Sequence, residues 1–155
     1  VEELDRLGMI IDISHLNDEG FWDVMEHTKN PVIASHSNSR AVCDHPRNMT
    51  DEMIRAMAGK GGVMGMNFAP PFVHPTDATL GGVVDHIDHI VKLVGPDHVG
   101  LGSDYDGIPY TPKGLEDVSK MPDITMELVK RGYAKEDIAK ILGGNHLKLI
   151  KEIAG

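Results

Sequence analysis

At 155 residues the chain is long enough to bury a sizeable core and matches the size of a single domain. A net charge of -9, with Lys and Arg scattered along the chain, excludes the clustered basic surface that nucleic acid or an anionic membrane would need. No apolar run approaches the roughly 20 residues of a membrane span, and the single cysteine, Cys43, allows no intrachain disulfide and favours a reducing, cytoplasmic compartment.

Taken in order, residues 2–7 have the pattern of a helix tail ended by Gly8. Residues 9–38 then read as strand, helix, strand. Ile10, Ile11 and Ile13 lead to His15, and Val32, Ile33 and Ala34 lead to His36. Between them Asn17 is an N-cap candidate, Asp18 and Glu19 suit a first helical turn, and Phe21, Val24 and Met25 fall on one face. A polar loop follows, then Thr50, Asp51 and Glu52 open a helix through Ala58, and glycines break it before a third apolar run, 63–68, with Asn67 near its end. Residues 69–82, rich in Pro and Gly, are expected to be loop. Residues 83–94 place Val83, Val84, Ile87, Ile90, Val91 and Val94 on a buried helical face ended by Pro96. A fourth strand over 98–103 ends at Asp104, and a long loop leads to helices near 122–131, 135–142 and 146–153, the last two separated by Gly143, Gly144 and Asn145.

Parallel strands joined by crossover helices point the same way, so the side chains at their C-terminal ends meet at one face. His15, His36, Asn67 and Asp104 occupy those ends. The fold class is α/β, with parallel βα units as in a (β/α)₈ barrel, whose active site is built from the loops after the strands. A full barrel takes about 250 residues and eight strands. This chain reads as one partial domain, residues 1–155, so the remaining half is missing, or another chain supplies it as in a homo-oligomer, or the strands form an open doubly wound sheet.

Most of the nine histidines must be structural. His27, His45, His74, His98 and His146 read as solvated or loop residues, and His86 and His89 lack the four-residue spacing and the glutamate of a zinc-binding HExxH helix. His15 and His36 differ because the topology brings them to one face. Neutral imidazole is the commonest ligand for zinc, and catalytic zinc keeps three protein ligands and an open position. Asp104 fits a metal ligand, a general base or a helix cap. The DYDG that it opens resembles a calcium loop, but Pro109 falls where that loop needs Gly and Leu115 where it needs Glu. Ser35 and Ser37 flank His36 without a G-x-S-x-G elbow. Cys43 reads as a buried, inert thiol sooner than a nucleophile. Arg40 and Arg47 share the loop after the second strand, either as solvated surface residues or as a two-pronged clamp on a carboxylate.

These stretches together resemble the zinc dipeptidases of the renal or membrane dipeptidase type, peptidase family M19. The matching segments are IDISH at 11–15, PVIASHSNSRAVCDHPRNMTD at 31–51, GGVMGMNF at 61–68, VVDHIDHIVKLVGPDHVGLGSDYDG at 83–107, GLEDVSKMPDIT at 114–125 and GGNHLKLI at 143–150. The resemblance implies the C-terminal half of a (β/α)₈ barrel that carries a pair of zinc ions and hydrolyses dipeptides. It implies His15 and His36 as the histidine ligands of one zinc, Arg47 as the residue binding the substrate's free carboxylate, and Asp104 as an acid/base residue that also contacts substrate. The family's His-x-Asp pair, bridging Glu and carbonyl-contacting histidine have no counterparts here. The competing readings are another metal-dependent hydrolase of the amidohydrolase kind, acting on a lactone, phosphoester or β-lactam, and a catalytically silent half serving as a binding module.

Overall fold

The computed structural model describes residues 1–154. Four parallel strands, β1 (Ile11–Asp12), β2 (Val32–Ser37), β3 (Val63–Asn67) and β4 (Val99–Ser103), lie side by side in sequence order. Each neighbouring pair is bridged by helix: α2 (Asp18–His27) between β1 and β2, α3 (Asp51–Gly59) between β2 and β3, and α4 (Pro70–Val73) with α5 (Leu80–Val94) between β3 and β4. A short α1 (Glu2–Arg6) precedes β1, and α6 (Met121–Lys130), α7 (Lys135–Ala139) and α8 (Asn145–Ala154) follow β4. Parallel strands in sequential order, joined by helices, are the arrangement of successive barrel units, and the order disposes of the doubly wound alternative, whose strand order reverses.

Local chemistry sets the helix starts. The side chains of Asn17, Thr50 and Thr79 accept hydrogen bonds from the backbone N–H groups of Gly20, Met53 and Gly82, so each satisfies a donor that a helix end leaves unpaired. The Thr79 cap corrects the expectation of loop over 69–82, because it begins α5 at Leu80. Pro70 and Pro71 sit in the first turn of α4, where the missing N–H costs nothing. At the other end of α5, Gly95 in a left-handed conformation ends the helix before Pro96.

The helical faces and the strands share one core. Phe21 and Met25 from α2, Met53, Ile54 and Met57 from α3, and Val83, Val84, Ile87 and Ile90 from α5 pack with Val32, Ala34, Met64, Met66 and Val99. Burying each of the larger of these side chains stabilises the fold by about 1.5–3 kcal/mol. At the start of α8, Asn145 was expected to be a spacer, yet its Nδ2 donates to the carbonyls of Pro96 at 2.7 Å and Val99 at 2.8 Å, tying the helix to the foot of β4. His146 was expected to be solvated. Its ring instead lies against Gly100, where any Cβ would collide with it, and burial lowers its pKa. No helix among the described residues is long and apolar enough to cross a membrane.

Candidate active site

Both register irregularities of the sheet fall at strand C-terminal ends, between Ala34 and Ser37 of β2 and between Met66 and Asn67 of β3. Such bulges re-aim side chains and favour active-site rims. The only non-glycine residues with positive φ among the described residues are His15 at 72°, Ser103 at 34° and Asp104 at 71°, which sit at the same end of the molecule. A left-handed backbone at three non-glycine positions costs free energy and persists only where the surroundings enforce it.

The sequence expectation about His15 and His36 concerns placement, and the structure brings them together. Their Nε2 atoms are 2.7 Å apart, with the rings edge to face. Burial, helped by the nearby Arg47 and His36, lowers the pKa of His15 and favours its neutral form. Two imidazoles with their Nε2 atoms this close are a donor set suited to zinc and similar metals. Among the described residues no group of three His, Cys, Asp or Glu side chains is disposed to hold a metal.

Arg40 and Arg47 part company. Arg40 makes a two-pronged ion pair with Asp18, both contacts at 2.8 Å, and its Nε donates to the Asn48 carbonyl, so it staples the loop to α2. Arg47 has no acidic partner among the described residues. Its guanidinium lies 5.5 Å from the centre of the Phe72 ring, which in turn packs on His45. Burial disfavours the Arg47 charge, while the more distant Asp104 and Asp12 favour it. Such a guanidinium is suited to an incoming anion.

Asp104 follows β4 directly, and its Oδ2 accepts from Asn67 Nδ2 at 3.1 Å. Asn67 is fixed in turn by Asn38, whose Oδ1 accepts from the Asn67 N–H and whose Nδ2 donates to the Asn67 carbonyl, both at 3.0 Å. His15, Arg47 and Asp104 line one open cavity of about 300 Å³ together with Pro70, Phe72, Ile108 and Tyr110. A depression of about 450 Å³ between α1 and the end of α2 lies at the opposite face, away from these groups.

Asp12 and Ser14 escaped the sequence reading, and Ser35 was weighed there only for a nucleophile elbow that is absent. Asp12 Oδ1 accepts from the backbone N–H groups of Ser14 and Ser35, both at 3.0 Å, and Oδ2 from the Ser35 hydroxyl at 2.5 Å. Ser35 Oγ is also 2.8 Å from His36 Nδ1, and Ser14 Oγ accepts from the His36 N–H. Burial would raise the pKa of Asp12, but the hydrogen bonds from Ser35 and Ser14 outweigh it and hold the carboxyl below the ordinary range. The available signal was the acid itself, set inside the apolar run IIDIS. Cys43 is buried, its thiol faces the Pro71 carbonyl, and burial with the nearby Asp44 pushes its pKa up, which makes it inert as expected.

The chain matches the membrane dipeptidase family (peptidase family M19) over residues 1–155. It is 39% identical to an uncharacterized protein in the pqqA 5' region of Klebsiella pneumoniae, over 99% of this chain and 58% of that one. It is 44% identical to an uncharacterized dipeptidase of Schizosaccharomyces pombe, over 97% of this chain and 38% of the other. A crystal structure of a metallo peptidase from Rhodobacter sphaeroides, liganded with a phosphinate mimic of the dipeptide L-Ala-D-Ala, superimposes with a TM-score of 0.92 at 34% identity and covers 97% of this chain and 44% of that one. The chain thus spans about half the length of the relatives that it matches, as expected of half a (β/α)₈ barrel. On a match that runs its whole length, the chain belongs to the membrane dipeptidase family, peptidase family M19.

Proposed function

We propose that this chain carries part of the active site of a zinc-dependent dipeptidase, in which His15 and His36 hold metal, Arg47 binds the free carboxylate of the dipeptide and Asp104 handles the proton passed to the leaving nitrogen. The observation that carries the reading is the approach of the two Nε2 atoms to 2.7 Å, with His15 lining one cavity beside Asp104 and an arginine that has no acidic partner among the described residues. Nitrogens about 2.0–2.1 Å from one tetrahedral zinc lie about 3.4 Å apart. The two nitrogens, 2.7 Å apart, would need to part by several tenths of an ångström to share one ion. When bound, the metal supplies a water of lowered pKa and a polarised carbonyl. This chain's residues do the rest. Arg47 fixes one end of the substrate, which converts an encounter into an aligned complex. Asp104, held by Asn67, would take the proton released by the attacking water and pass it to the amine as the peptide bond breaks.

Zinc retained after dialysis by the protein carrying this chain tests the metal role, with His36→Ala alongside. We expect zinc in the parent and its loss in the variant. Equal zinc in both would sink the assignment. A panel of free dipeptides, blocked dipeptides and β-lactams separates a dipeptidase from a broader hydrolase, because only the former needs the free carboxylate.

A further inference from the structure

Histidine can offer a metal only the nitrogen that lacks a proton, and the partner of its other nitrogen decides which one that is. We propose that Ser35, itself held by Asp12, is the positioning residue that keeps the proton of His36 on Nδ1 and leaves the Nε2 lone pair for the metal. This rests on the reading of His36 as a metal ligand. The shortest contacts favour one assignment, in which His15 Nε2 carries the proton shared with His36 Nε2. Asp12 is kept ionised by its donors, so both oxygens only accept: Oδ1 takes the N–H groups of Ser14 and Ser35, and Oδ2 takes the Ser35 hydroxyl. Ser35 Oγ also lies 3.4 Å from Ser14 Oγ, but the 2.5 Å contact with Asp12 takes its one hydroxyl proton. Toward His36, 2.8 Å away, Ser35 Oγ has only a lone pair left, so the contact requires Nδ1–H as donor. Ser14 Oγ, accepting from the His36 N–H at 3.0 Å, fixes the backbone from which the ring hangs.

The same logic predicts what an isosteric change does. In Asp12→Asn the two backbone N–H groups at Oδ1 demand the amide oxygen there, which places the amide NH₂ toward Ser35. That NH₂ donates to Ser35 Oγ, the hydroxyl proton turns to His36 Nδ1, and the imidazole proton moves to Nε2. The charge and one proton position change while the fold does not.

Proton–nitrogen correlation spectra of the metal-free protein near pH 8, with labelled histidine, read the tautomer directly. We expect Nδ1–H for His36 in the parent and in Ser35→Thr, and Nε2–H in both Asp12→Asn and Ser35→Ala. An Nε2–H form in the parent, or Nδ1–H persisting in both variants, overturns the proposal. Zinc titration is the second readout: Asp12→Asn and Ser35→Ala should weaken binding by about 10–100-fold, and Ser35→Thr should restore it. Unchanged zinc affinity in variants whose tautomer had switched would overturn the link to the metal. If the parent binds no zinc, the dipeptidase reading of His36 fails, and the nitrogen spectra still decide the tautomer.

Discussion

Arg40 and Arg47 lie in one loop, carry the same charge and are equivalent to any composition argument, yet only their partners tell which could meet a substrate. Asp18 occupies the whole fork of Arg40, so Arg40→Ala should cost stability, by about 1 kcal/mol for a partly exposed pair, and leave substrate choice alone. Arg47→Ala should do the opposite. Losing hydrogen bonds between charged groups is worth about 1.5–3 kcal/mol, so kcat/KM for a free dipeptide should fall about 10- to 150-fold, while an amidated dipeptide should be hydrolysed almost as before. Equal losses on both substrates would show that Arg47 does not bind the carboxylate. His15, His36 and Asp104 were legible because strand ends concentrate chemistry. Asn67 was placed there too, but its hold on Asp104, like the contacts of Asp12, Ser14 and Ser35, depends on distances that a linear pattern does not hold.

At the level of elements, periodicity located every strand and the long helices because each has a single buried face. It failed where short polar contacts decide, as with the Thr79 cap that lengthens α5 and the Asn145 side chain that starts α8. Two element contacts have measurable consequences. Gly65 of β3 and Gly102 of β4 approach each other and the Ser35 carbonyl so closely that a Cβ at either would strike backbone. Gly102→Ala should therefore destabilise by about 1–3 kcal/mol through overpacking, and a chemical-denaturation midpoint would reveal it. His86 on α5 joins both active-site loops, accepting from the Ser39 N–H and donating to the Val73 carbonyl. Burial pushes its pKa down to about 4. A histidine whose folded pKa is depressed adds stability that is complete above the unfolded value near 6.5 and is lost as pH falls toward 4. Stability should drop by a few kcal/mol across that window, and His86→Gln should flatten the slope. Some slope should survive, because burial also lowers His15, His45 and His146.

For the molecule as a whole, β1 and β4 end the sheet, and among the described residues neither has a neighbour on its outer side. Two imidazoles are fewer than the three protein ligands typical of catalytic zinc, so this chain by itself should retain well under one equivalent of zinc at micromolar free metal. A full equivalent by elemental analysis would mean that two chains combine their ligands, which sedimentation would detect as a dimer. The left-handed backbone at His15, Ser103 and Asp104 bears on any attempt to improve the protein by selection. Glycine adopts that conformation without strain, so heat tolerance selected without regard to turnover should enrich glycine at these positions. A library sorted for melting temperature alone would discard His15 and Asp104 first, and on the proposed roles its hardiest members would be its least active.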